Sequence, residues 1–156
     1  LVERMAVAIS NCENDVANGF PELVRQMAFA DEQSEQVDPS WHHLSELPGW
    51  QEAEDSTRRT ILEIGKAYLS CLEAELPSRT GKEFAVPWPT RVAYLALCLL
   101  DDVEPEWLSQ STSSVWQRWA ALVVDFETWA NQQTMLLGRA LDKAPNETVA
   151  RFITLI

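Results

Sequence analysis

The chain has 156 residues, with 24 acidic side chains against 12 basic ones and a formal net charge of −12. Hydrophobic residues make up 46% and charged residues 23%, which excludes the disordered class and allows a buried core without cross-links. No apolar run approaches the ~20 residues that span a bilayer, and the acidic balance disfavours a nucleic-acid surface, which needs a basic stripe.

Nearly every segment carries helical periodicity. Leu1, Val2, Met5, Ala6 and Ile9 share one helical face, and residues 11–19 are expected to break the pattern. Pro21 suits a first helical turn, where its missing N–H would be unbonded in any case, and Leu23, Val24, Met27 and Ala28 then form a second stripe. Residues 33–49, with Pro39, Pro48 and Gly49, read as a loop holding at most one short helical turn. Asp55 or Ser56 caps the next helix, which runs to about Glu75 on Ile61, Leu62, Gly65, Tyr68, Leu69, Leu72 and Leu76. Gly65 weakens it by about 1 kcal/mol relative to alanine and marks a close helix crossing. Leu76-Pro77 ends it, and residues 78–86 form a polar connection.

Pro87-Trp88-Pro89 introduces a helix over about residues 90–100. Val92, Ala93, Leu95, Ala96, Cys98, Leu99 and Leu100 leave it little polar face, so an interior position is expected. Asp101 and Asp102 close it. A short turn around Pro105, Glu106, Trp107 and Leu108 follows, and residues 111–114 offer caps for a helix carrying Val115, Trp116, Trp119, Ala120, Leu122, Val123 and Phe126. Another helix begins near Asn131 with Met135, Leu136 and Leu137, and a last one at Pro145 carries Val149, Phe152, Ile153 and Ile156. No segment alternates with period two between turn signals, and five glycines are too few for a sandwich or barrel. The expected fold class is all-α.

Pro105 and Pro145 open elements 40 residues apart, and helix starts near Pro89 and Asn131 lie 42 apart. Two-helix HEAT-like units share such a period, at roughly 40–47 residues. Antiparallel helical hairpins stacked as a short HEAT-like α-solenoid are the favoured architecture, with an irregular helical bundle as the alternative.

The sequence spells no catalytic constellation. Cys12, Cys71 and Cys98 are odd in number and far apart, so no zinc knuckle or redox pair is built locally, and reduced thiols in a cytoplasmic protein are expected. Asn146-Glu147-Thr148 matches a glycosylation sequon only formally. His42 and His43 are adjacent, not spaced to share a helical face around a glutamate, and His42 with Glu46 is too few ligands for a metal. Thr80-Gly81-Lys82 fails as a phosphate loop, because Leu76 occupies the position of the second glycine and Glu83 that of the magnesium-holding hydroxyl. Asp101, Asp102, Glu104 and Glu106 concentrate enough acid for a cation or for paired carboxylates, although their order is not that of a calcium loop. A solvated helix end is the plainer account of them. No catalytic residue, metal ligand or cofactor is assigned.

Seven tryptophans stand out. Trp116, Trp119 and Trp129 fall within helices and read as core. Trp41, Trp50, Trp88 and Trp107 lie in predicted connections, where they either cap the ends of the core or, if exposed, anchor a protein partner. Charge is uneven as well. Residues 1–75 hold 15 acids and 5 bases, a net of −10, and residues 76–156 hold 9 acids and 7 bases, a net of −2. Eight acids and no base fall between Asp31 and Asp55, a block that serves solubility or docks on a basic surface.

The stretches Leu47-Pro48-Gly49-Trp50, Pro105-Glu106-Trp107-Leu108, Val115-Trp116-Gln117-Arg118-Trp119-Ala120 and Ala144-Pro145 resemble the helical region of large bacterial NACHT-type NTPases of the STAND class. The resemblance covers about two thirds of the chain, from Trp41 onward, and rests on packing motifs. It implies a sensor or connecting region in an antiviral defence protein, with none of that family's nucleotide-binding residues represented here. A start at Leu1 and an apolar close at Phe152-Ile153-Thr154-Leu155-Ile156 read as one all-helical domain cut from a longer multidomain protein. The leading expectation is a non-catalytic helical scaffold that contacts a protein partner or neighbouring domains of its own chain, and neither nucleic acid nor membrane. The alternatives are a small helical enzyme or metal protein using the acids at 101–106, and an acidic adaptor or inhibitor of a basic partner.

Overall fold

A computed structural model describes residues 2–29, 39, 42–71, 87–125 and 130–154. Among these residues the chain forms nine α-helices and no strand, so the fold is all-α. It divides into two compact units, one of Leu1–Leu72 with Arg91–Leu99 and one of Glu73–Thr90 with Leu100–Ile156.

The first unit is organised by a tight hairpin of α1 (Val2–Asn14) and α2 (Val16–Met27). The break expected over residues 11–19 shrinks to one residue, Asp15. Its backbone is extended at φ −151° and ψ 92°, and its carboxylate accepts from the Asn18 N–H at 3.2 Å and the Asn18 side-chain amide at 2.7 Å. Capping of this kind satisfies an orphan donor of the first turn, so no longer loop is required. Pro21 consequently lies inside α2 rather than in its first turn. An interior proline costs about 3 kcal/mol, here offset by complete burial of Phe20, Leu23, Val24 and Met27 around it.

Glycine permits the close approaches. A Cβ on Gly19 would fall 2.8 Å from the Cys12 Cα, and one on Gly49 would fall 2.6 Å from the Met27 Cα. Gly49 belongs to α3 (Pro48–Gln51), which follows a single 3-10 turn at Leu44–Glu46, so the segment expected to be mostly loop is helical over 44–46 and 48–51. Leu44, Leu47 and Trp50 from this segment are buried. Arg58 of α4 (Asp55–Cys71) closes α3, donating from Nε to the Trp50 carbonyl at 3.0 Å and from Nη2 to the Gln51 carbonyl at 2.9 Å. A cation on the last carbonyls of a helix is favoured by the helix dipole. The first turn of α4 starts upstream of the expected caps, with the Arg58 N–H bonded to the Glu54 carbonyl.

Helix α4 packs on α2 through Phe20 and Tyr68, ring centroids 5.0 Å apart. Gly65 faces the Phe20 ring as expected of a crossing, yet an added Cβ would meet it at 3.5 Å, an ordinary contact. The end of this helix near Glu75 and the connection at 78–86 lie outside the described residues.

Helix α5 (Trp88–Val103) is buried without interruption from Val92 to Leu100, as expected of an interior helix, and continues past Asp101 and Asp102. In the second unit, α6 (Pro105–Gln110) replaces the expected turn, and α7 (Ser113–Asp125), α8 (Ala130–Lys143) and α9 (Pro145–Thr154) pack pairwise. Pro105 and Pro145 each occupy a first helical position after a one-residue joint, Glu104 or Ala144, so the 40-residue spacing separates two joints of the same form. The indole of Trp116 donates to the Leu108 carbonyl at 3.1 Å and stacks edge-on against Trp119 at 5.5 Å. Phe126 and Trp129 lie outside the described residues.

The stripe assigned to α9 is turned outward. Val149, Phe152 and Ile153 are 47%, 40% and 66% exposed, while Thr148 is fully buried. The Thr148 hydroxyl donates to the Ala144 carbonyl at 2.7 Å, which removes the penalty of burying it. Met135 of α8 is likewise exposed, and Leu136 is buried.

Burial of Cys12, whose Sγ donates to the Ala8 carbonyl at 3.2 Å, pushes its thiol up to about 11, partly opposed by a backbone hydrogen bond. Burial also pushes the Tyr68 phenol up, with Cys71 adding to the effect. A raised folded pKa means that the unfolded chain loses its proton first. The stabilisation is therefore complete below the unfolded thiol pKa of about 8.5 and declines as pH rises toward 11. Urea midpoints should fall over that window, and Cys12→Ala should reduce the early part of the fall, below the tyrosine range. Thiol labelling of the native chain should be fast at exposed Cys71 and slow at buried Cys12 and Cys98.

The glycines separate into two kinds. Gly49→Ala and Gly19→Ala should each destabilise by about 1–3 kcal/mol through overpacking against backbone. Gly65→Ala should stabilise by about 0.5–1 kcal/mol through helix propensity. Denaturant melts of the three variants check both signs.

Candidate functional site

Helix α1 carries two neighbouring apolar stripes. Met5, Ala8 and Cys12 form the inward one and are 4%, 3% and 5% exposed. Val2, Ala6 and Ile9, spaced four and three residues apart, form the other, which continues to Glu13. This second stripe is one wall of an open groove of about 620 Å³. The opposite wall comes from the end of α3 and the start of α4, through Gly49, Glu52, Ala53, Glu54, Thr57 and Thr60. The sequence placed Val2, Met5, Ala6 and Ile9 on one helical face; Met5 is buried, whereas Val2 is 78% exposed and Ala6 is exposed, with Ile9 between.

The groove's lining joins aliphatic side chains to three carboxylates, Glu13, Glu52 and Glu54. Among the described residues that line it, none is basic. Its volume lies within the ~300–1,000 Å³ of ordinary binding pockets. Serine and threonine supply the remaining polar groups, through Ser10, Ser56, Thr57 and Thr60. Such a surface can desolvate apolar side chains and attract cations.

The tryptophans proposed as partner anchors are distributed differently. Trp50 is 7% exposed beneath the Arg58 guanidinium, 5.9 Å from its ring centroid, and so caps the core. Trp107 is half-buried with its ring 5.9 Å from Trp119, and Trp88, half-buried, opens α5. Trp41 lies outside the described residues. His42 is exposed with Nδ1 3.7 Å from the Glu46 carboxylate, whose oxygen also accepts the His43 N–H at 3.2 Å.

Two of the acids at 101–106, Asp101 and Asp102, are held by structural partners. Asp101, only 9% exposed at its side chain, accepts from Arg139 Nε at 3.0 Å. Asp102 accepts from the Gln132 side chain at 3.1 Å, Glu104 joins α5 to α6, and Glu106 is exposed in the first turn of α6. Arg139 also donates to the Ser109 hydroxyl, tying α8 to α6. Among the described residues no three of His, Cys, Asp and Glu are gathered to hold a metal ion, and no helix is long and apolar enough to cross a membrane.

Glu52 and Glu54 belong to the acidic block legible in the sequence. Glu13 was not singled out there, and Val2, Ala6 and Ile9 were grouped with Met5 on one face, although their four- and three-residue spacing sets them apart from Met5, Ala8 and Cys12. Comparisons with models of protein families, with curated proteins and with solved structures find no match for this chain.

Arg139→Met should cost about 1–3 kcal/mol, because it strands the nearly buried Asp101 carboxylate without its donor. Glu106→Gln should change stability by less than about 0.5 kcal/mol. Urea titration of both variants distinguishes a structural clip from a solvated acidic turn.

Proposed function

We propose that the chain is a non-catalytic, α-helical protein-interaction segment, and that it works by seating a partner's apolar side chains on the outward face of α1. The observation that carries this reading is the second apolar stripe, Val2, Ala6 and Ile9, lying open beside Ala53 and Gly49 while a separate stripe of the same helix serves the core. Aliphatic surface left in water costs about 25 cal/mol per Å², so a partner that covers it gains that amount back. The exposed Val149, Phe152 and Ile153 of α9 form a second apolar patch in the other unit, as a segment contacting several neighbours would need. The resemblance of the Trp116–Trp119 region to the helical part of NACHT-type NTPases supports a role as a sensor or connecting segment in an antiviral defence protein.

A neutral apolar dye tests the binding surface directly. Nile red emission should rise on mixing with the native chain and fall on Ala6→Gln, a substitution at an exposed helical position that preserves the helix by circular dichroism. An emission unaffected by Ala6→Gln would remove the groove from this reading.

A further inference from the structure

We propose that the groove along α1 takes a basic amphipathic helix. The inference rests on the interaction reading above and adds the chemistry of the partner. Charge is its first support. Glu13, Glu52 and Glu54 line the groove with Val2, Ala6, Ile9 and Ala53, and no lysine or arginine is among the described lining residues. All three lie within residues 1–75, whose net charge of −10 draws cations from a distance and repels a second copy of the chain.

Glu13 makes the case sharper. It lies in the last turn of α1, the end of a helix where the dipole favours cations, and no basic residue occupies that turn. Helix stability disfavours an acid at that position. A cation from outside would be held by the carboxylate and by the helix terminus together. Dimensions agree with a helical occupant. The α1 wall from Val2 to Glu13 extends about 16 Å, and leucine-like anchors at i, i+3 or i+4 and i+7 need about 10 Å. Lysines or arginines flanking such anchors would reach the carboxylates on both walls, a helix-in-groove mode with a charged rim.

The test uses labelled synthetic helices and fluorescence anisotropy. One peptide has leucine at i, i+3, i+4 and i+7 with lysine flanks. A second carries glutamate in place of lysine, and a third has the lysine composition with its leucines dispersed. The first should bind at least about tenfold more tightly than either control, and its affinity should fall as salt rises. Glu13→Lys, and Glu52→Lys with Glu54→Lys, should each weaken it by about threefold or more. Glu13→Lys should at the same time raise the thermal midpoint, because it removes an acid from a helix C-terminus, so lost binding is not lost folding.

Equal binding of the lysine and glutamate helices, or of the ordered and dispersed lysine peptides, would overturn the proposal. So would indifference to the three charge reversals, or self-association of the chain through the Ala6 face in sedimentation. If Nile red still enters the groove in those cases, the interaction reading survives and the basic partner alone is refuted. Loss of both signals refutes both.

Discussion

The approach of α2 to α1 at Gly19 determines which face of α1 is available for anything else. With no side chain there, the backbone of Cys12 comes within 2.8 Å of where a Cβ would stand, and Met5, Ala8 and Cys12 are drawn into the core. Asp15 turns the chain in one residue and caps α2, so the two helices cannot slide apart on a longer loop. Once that face is engaged, Val2, Ala6 and Ile9 have nowhere to go but the solvent side. The groove is thus a consequence of a close helix crossing, reinforced by a second one where Gly49 meets Met27.

The polar residues follow a consistent logic. Acids that looked available for chemistry at 101–106 are engaged with α8, through Arg139 and Gln132, or mark the joint between α5 and α6. Arg58 is held by the end of α3 and stacks over Trp50. The carboxylates of Glu13, Glu52 and Glu54 instead line an open surface with no basic residue among its described lining. That contrast, between acids held by basic or amide partners and acids left facing a hollow, is what directs attention to the first unit.

Much of the architecture was readable in the chain. Helical periodicity marked α4, α5, α7 and α8, because burial against other helices selects residues every three or four positions. The spacing of Pro105 and Pro145 marked two equivalent joints, because proline at a first helical position loses no hydrogen bond. Pro21 misled for the same reason: its preference for a first turn is weaker than the gain from burying its neighbours. Trp50 was ambiguous in sequence, since an indole in a connection can cap the core or anchor a partner, and its burial beneath Arg58 is visible only in the structure.

By itself the sequence determined that this protein is all-α, where most helices begin, and that its first half carries most of the negative charge. These are local or summed properties, set by residue type and spacing along one strand of chain. Only the tertiary structure decided which apolar stripe is core and which is surface. Periodicity draws Val2-Ala6-Ile9 and Met5-Ala8-Cys12 alike, and Val149-Phe152-Ile153 on α9 as well as the stripes that are buried. The difference lies in whether another helix can come close enough to cover them, and that depends on side chains distant in sequence, such as Gly19 against Cys12 and Gly49 against Met27.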